Sequence, residues 1–156
     1  MNIQIIAVGK IREKFIKEGV DEFLKRIQPY SSLKIIEIAS EDIKNSSMVE
    51  KYLDAEAEKI LSQIPDSAFV ITLEIEGKLL ASEEFAGKIN AIIRNGCNQL
   101  VFVIGSAEGL SKQVKKRADF AISLSKMTLP YQIARLILLE QIYRAFKIIK
   151  NEPYHK

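Results

Sequence analysis

The chain carries one histidine, His155, set in the closing stretch NEPYHK. Imidazole is the side chain whose ordinary titration range brackets neutrality, so it can accept a proton from a weakly acidic substrate at physiological pH. A chain end is usually frayed and dispensable. Here, however, Pro153 stiffens the backbone before it and Tyr154 offers a docking ring, features that a purely solvated end does not need. Upstream stand Arg135 and Arg144. A guanidinium stays protonated and cannot act as a base, but it can stabilise developing negative charge. Glu140 lies four residues before Arg144, so an ion pair along one helix face accounts for Arg144 equally well, and both readings stand. The sequence has no carboxylate or cysteine set at metal-ligand spacing and no Ser or Cys beside a plausible base, so metal and hydrolase chemistry fit poorly. The single cysteine, Cys97 in RNGCNQ, reads as a bystander thiol.

Three further stretches end apolar runs and are candidates for the rim of a site: TLEIEGK (72–78), VIGSAEGLS (103–111) and SLSKMTLPYQ (123–132). Gly105 and Ser106 are small enough for a ligand to approach the backbone, and Ser111 is placed to cap a helix. The stretch lacks the Lys and Ser/Thr of a phosphate-binding loop and the spacing of a dinucleotide fingerprint, so alone it is an ordinary turn from strand to helix. The third stretch combines a strand end, a mixed loop and a proline, which offers backbone groups to a ligand wall. A plain connection with Met127 and Leu129 in the core is the competing reading.

The elements that must position these residues are legible from periodicity. Residues 3–8, 33–39, 68–75, 100–105 and 120–125 are β-rich and mostly apolar at successive positions, as strands buried on both faces of a parallel sheet must be. Helical stripes fall between them: Ile16, Val20, Phe23, Leu24, Ile27; then Val49, Leu53, Ala57, Ile60, Leu61, Ile64; then Phe85, Ile89, Ile92, Ile93, after a start at Ser82. The last helix is expected to open at Pro130 and run to about Lys150, with Ile133, Leu136, Ile137, Tyr143, Phe146 and Ile149 inward. The pattern is a three-layer α/β domain spanning residues 1–156, and such sheets bind ligands outside the carboxyl ends of their strands. No membrane span or secretory leader is visible, and the expected compartment is the cytoplasm. Net charge is only +3, yet from Ser111 onward ten Lys and Arg face three acids, which favours a polyanionic partner at that end.

Taken in order, VITLEIEGK, VIGSAEGLS, LSKMTLP and RLILLEQIYRAFKIIKNEPYHK resemble the small ribosomal RNA methyltransferases of the SPOUT class that methylate N3 of a pseudouridine in large-subunit RNA. The likeness runs from Ile5 to Lys156. It implies a parallel sheet with a C-terminal trefoil knot, a site for S-adenosylmethionine built by the knot loops, no metal, and a homodimer. It also implies a target in the helix 69 region of 23S ribosomal RNA, met on assembled ribosomes. Residue by residue, the implied cofactor pocket falls on Leu73, Gly105, Leu124, Ser125, Lys126, Met127, Thr128 and Leu129. The family's tail lies close to that pocket, which makes His155, Tyr154, Arg144 and Arg135 the candidate catalytic set and brings Lys156 near the target base. The chain departs from the family at Ser106, usually a second glycine, and at Tyr131, usually a histidine. Ser106 either crowds the cofactor or donates a hydrogen bond to it. Two alternatives remain: another SPOUT enzyme acting on transfer RNA, and a non-catalytic nucleotide- or RNA-binding α/β module.

Overall fold

Five runs of aliphatic residues form one parallel sheet in a computed structural model that describes residues 1–40 and 45–155. Strands β1 (Asn2–Val8), β2 (Ser32–Ile38), β3 (Phe69–Leu79), β4 (Gln99–Ile104) and β5 (Phe120–Ser123) lie in the order β2-β1-β4-β3-β5. Helices α1 (Lys14–Ile27), α2 (Val49–Leu61), α3 (Ser82–Arg94), α4 (Lys112–Arg117) and α5 (Tyr131–Ile149) connect or follow them. The successive apolar residues of the strands divide between two cores. Along β1, Ile3, Ile5 and Ala7 join Leu100, Phe102 and the buried stripes of α1, α3 and α5. Ile6 and Val8 join Val101, Val103 and the residues of α2 and α4 on the other face. This is the three-layer α/β arrangement, with the central strands β1 and β4 apolar on both sides because each side meets a helix layer.

Two details depart from the periodicity. The strand beginning near Ala68 continues past Ile75 to Leu79, because Leu73 and Lys78 both pair with Ile122 and residues 74–77 loop out between them. The final helix is apolar nearly all round, so its phase is not fixed by spacing. Its buried residues are Arg135, Leu138, Leu139, Ile142, Ala145 and Phe146, so of the expected inward set only Phe146 is fully buried. Ile133, Leu136 and Tyr143 pack half-buried against the first core instead, and α5 sits between α1 and α3. Every residue of α5 is buried or half-buried within the chain. Pro130 is the cap position rather than the first helical residue. Likewise Ser82 is the first residue of α3 and not its cap: its Oγ donates to Gln141 Oε1 at 2.8 Å, while Glu84 Oε2 accepts the Ala81 amide at 2.7 Å.

The excursion at 74–77 depends on Gly77, where a Cβ would fall 2.5 Å from the carbonyl carbon of Ile122 and 2.7 Å from its oxygen. Backbone cannot yield as a flexible side chain can. Gly77→Ala is expected to cost about 1–3 kcal/mol, lowering the melting midpoint by roughly 3–10 °C. Gly87→Ala, in α3 with nothing within 4 Å of the new methyl, should hold or raise it. Equal midpoints for the two variants in scanning calorimetry would disprove this account of the excursion.

Candidate active site

The carboxyl ends of β3, β4 and β5 and the loop leading into α5 enclose a cavity of about 560 Å³. Its size suits a small-molecule ligand. Seven of the eight expected cofactor residues line it: Leu73, Gly105, Leu124, Ser125, Met127, Thr128 and Leu129. The eighth, Lys126, does not; its Nζ donates to the Ile75 carbonyl at 3.2 Å and ties this loop to the excursion at 74–77. The loop is wound by its own short bonds. Ser123 Oγ donates to the Ser125 carbonyl at 3.0 Å, and Ser125 Oγ accepts the Met127 amide at 2.9 Å. Met127 is 78% exposed and stands on the rim rather than inside.

The turn after β4 forms the floor. Gly105 is needed there for a reason other than ligand approach: a Cβ would lie 2.4 Å from the Gly109 carbonyl oxygen. The turn closes on that carbonyl, with Gly109 at φ +87 and its amide bonded to the Ser106 carbonyl at 2.9 Å. Ser111 caps α4 as expected, its Oγ accepting the Val114 amide at 3.2 Å. Ser106 Oγ is buried at the cavity wall and has no hydrogen-bond partner among the described residues. A buried hydroxyl left unpaired is costly, and a polar ligand atom supplies what it lacks. With apolar walls from Leu73, Ile104, Leu124 and Leu129, the residues present fit an adenine-bearing cofactor of the S-adenosylmethionine kind.

On the rim, periodicity gave no signal for Glu74, Glu76 and Lys115, because they converge only when the excursion forms. Lys115 Nζ lies 3.4 Å from Glu74 Oε2 and 2.8 Å from Glu76 Oε1. Its pKa is raised and that of Glu76 lowered, in each case chiefly by their mutual hydrogen bond.

Arg135 is not at the cavity surface. It is fully buried, with Nη1 donating to Glu37 Oε1 at 2.6 Å and Nη2 to the Gly9 carbonyl at 2.9 Å. A guanidinium without exposed surface is not placed to touch a substrate base, and its two bonds tie α5 to β2 and to the end of β1. Neighbouring side chains of α5 hold the same region: Tyr131 Oη donates to the Lys10 carbonyl at 3.2 Å, and Gln132 Oε1 accepts the amides of Arg12 at 2.8 Å and Glu13 at 3.3 Å. Tyr131 also lines the cavity.

The tail turns back sharply. Asn151 takes φ 54, the Asn151 amide bonds the Ile148 carbonyl at 3.0 Å, and the Glu152 amide bonds that of Lys147 at 2.9 Å, a left-handed helix stop. Tyr154 then docks edge-on against Tyr143, ring centroids 4.8 Å apart, under the Arg144 guanidinium at 4.7 Å. Its hydroxyl donates to Glu140 Oε1 at 3.1 Å. Arg144 makes the expected pair with Glu140, through Nε at 3.0 Å and a shorter contact from Nη2, and this bond raises its pKa. It also reaches His155: Nη1 lies 3.4 Å from Nδ1, while Nε2 lies 2.7 Å from Glu83 Oε1. The tautomer with its proton on Nε2 satisfies both contacts. The structure thus brings Tyr154, His155 and Arg144 together, but none of them lines the cavity of its own chain. Lys156 lies outside the described residues. Among the described residues no group of three or more His, Cys, Asp or Glu is placed to hold a metal ion, and no helix is long and apolar enough to cross a membrane.

Residues 1–155 match the family described as predicted SPOUT methyltransferase. The chain is 51% identical over 159 residues to the ribosomal RNA large subunit methyltransferase H of Carboxydothermus hydrogenoformans, and 52% identical over 160 residues to the protein of that name from Finegoldia magna, with 100% of each chain covered in both cases. Among solved structures, a probable methylase family protein from Haemophilus influenzae Rd KW20 aligns with a TM-score of 0.57 at 18% identity, covering 99% of this chain and 70% of that one, a likeness of fold.

Two outcomes follow from this geometry. Gly105→Val should abolish ligand binding in the cavity by forcing the 106–109 turn off the Gly109 carbonyl, so calorimetry with S-adenosylmethionine should show no heat for the variant; wild-type affinity would place the ligand elsewhere. Tail docking should also depend on pH. Burial, then the Glu140 carboxylate, raises the Tyr154 pKa, so its stabilisation is present below about pH 10 and is lost as pH rises through the raised value. Glu83 is held below the usual carboxylate range by its own backbone amide and then His155, and Glu152 by Lys147 and then Tyr30. Their contributions are present above about pH 4.5 and are lost as pH falls through the lowered values. Ring-current shifts of Tyr154 in NMR spectra should hold across the interval between and collapse on either side. Random-coil shifts at pH 7 would show an undocked tail.

Proposed function

Because the chain belongs to the SPOUT methyltransferase family, we propose that it transfers a methyl group from S-adenosylmethionine to N3 of a pseudouridine in the helix 69 region of 23S ribosomal RNA, acting as a knotted homodimer on assembled ribosomes. The observation that carries the reading is the apolar cavity at the carboxyl ends of β3, β4 and β5, with an unpartnered buried hydroxyl on its wall. When bound, S-adenosylmethionine supplies an electrophilic methyl carbon on a sulfonium. Leu73, Leu124 and Leu129 are the residues to hold adenine, loop backbone groups to read its edge, and Ser106 to take one hydrogen bond.

The chain's remaining task is the N3 proton of the target, which an isolated uracil-type ring gives up only near about pH 9–10, close to a phenol. His155 is the candidate acceptor through Nδ1, the nitrogen left without a proton when Nε2 donates to Glu83; it takes the N3 proton once Arg144, 3.4 Å away, turns its N–H from that nitrogen to the negative charge developing on the base. Arg144 is thirteen residues along α5 from Tyr131, a rise of about 20 Å at 1.5 Å per residue. Tail and cavity therefore meet when the tail of one chain faces the cavity of the other, which is what a homodimer provides.

Ribosomes lacking the modification should gain one methyl group on a pseudouridine, read by mass spectrometry of the digested RNA; no transfer by the wild-type protein would defeat the reading. Deleting residues 154–156 should leave dimerisation intact and cofactor affinity within a few-fold, yet cut methylation at least about a hundredfold, with His155→Ala showing much of that loss. A mixed dimer with the deletion in one chain and Gly105→Val in the other should keep one working site, whereas both changes in one chain opposite a wild-type partner should leave none. Full activity of the truncated protein would return catalysis to the cavity residues alone.

A further inference from the structure

The loop between β1 and α1 is held far more firmly than a surface connection requires. Each residue from 9 to 13 has a backbone group bonded to a side chain of α5 or β2: the Gly9 carbonyl to Arg135, the Lys10 carbonyl to Tyr131, the Ile11 amide to Glu37 Oε1 at 3.3 Å, and the Arg12 and Glu13 amides to Gln132. Gly9 itself, at φ +90, lies so close to Tyr131 that a Cβ would fall 2.9 Å from its ring. The loop is therefore fixed to the helix turn whose Tyr131 and Ala134 form the cavity wall.

What this rigid loop and the first turn of α1 present to solvent is Lys10, Arg12 and Lys14, all exposed, followed by Phe15 at 64% exposure. Ile16 and Val20 already supply the inward stripe of α1, so Phe15 has no part in the core. Lys14 makes only an exposed pair with Glu18 at 3.7 Å, and across residues 10–18 four cations, Lys17 included, outnumber Glu13 and Glu18. An exposed ring among cations on a preorganised loop suits single-stranded RNA, whose phosphates take the charges and whose unpaired bases stack on the ring. We propose that residues 10–15 form an RNA platform beside the cavity mouth, in which Phe15 stacks on an unpaired base flanking the target and Lys10, Arg12 and Lys14 hold adjacent phosphates. The inference rests on the RNA-methylation reading and names the surface that seats its substrate.

Steady-state methylation of unmodified ribosomes tests it. Lys10→Gln, Arg12→Gln and Lys14→Gln together should raise KM at least about tenfold and reduce the slope of log affinity against log salt by about 2, from three charges at about 0.7 each. Cofactor affinity and sedimentation should be unchanged. Phe15→Ala should raise KM about tenfold, within the range for one lost base–aromatic stack, and Phe15→Trp should restore it. An active wild type with variants of unchanged KM and salt slope overturns the platform while leaving the methylation reading intact. Dissociation of the Phe15→Ala protein into monomers overturns it too, by making Phe15 a contact between copies. A wild type that transfers nothing to RNA removes both.

Discussion

A fully buried guanidinium is the interaction on which the active end of the molecule depends. Arg135 joins the second turn of α5 to the carboxyl ends of β1 and β2, through the Gly9 carbonyl and Glu37. Desolvating a cation is expensive, and the carboxylate and carbonyl offset that cost only while both are in place. Glu37 keeps 35% of its side-chain surface exposed, so water screens its end of the pair, while the arginine, with no exposed surface, depends on its two acceptors. The same few residues of α5 set the β1–α1 loop and one wall of the cavity, so loop, wall and helix are a single rigid assembly whose order is secured by one charge.

The cavity and the tail are built differently. The cavity is built from backbone: a glycine carbonyl packed where a side chain would stand, a serine-wound loop, and an excursion in β3 latched by Lys115 and Lys126. The tail is built from side chains stacked in layers, Arg144 over Tyr154 and Tyr154 against Tyr143, with Arg26 5.9 Å from the Tyr143 ring centroid.

The sheet and most helices were legible because burial on both faces leaves its mark in successive apolar residues, as in residues 3–8 and 100–104. The phase of α5 was not, since a helix surrounded by α1, α3 and the sheet has no polar face to orient it. Arg135 read as a candidate for substrate because its partner Glu37 lies 98 residues away, beyond any local pattern. The cavity residues came from motif resemblance rather than from spacing, and Lys126 was carried along with its neighbours although its amine turns to Ile75. The docking of the tail was foreshadowed by Pro153 and Tyr154. Its direction was set by the left-handed turn at Asn151, which asparagine tolerates but does not announce.

The strand order has a consequence for how the chain assembles during synthesis. When β1 and β2 have emerged they can pair at once, but β3, the next to appear, has no place beside either. It must wait for β4, which inserts between β1 and β3 and pairs with both. The two halves of the sheet therefore join only when residue 104 or so is available, and β5 and α5 follow. Such non-local pairing is slow compared with helix formation, because loop entropy is lost before contacts reward it. Between the emergence of Leu79 and that of Ile104 the nascent chain thus exposes the apolar first half of β3 without a partner, a window in which a chaperone at the exit tunnel has something to hold.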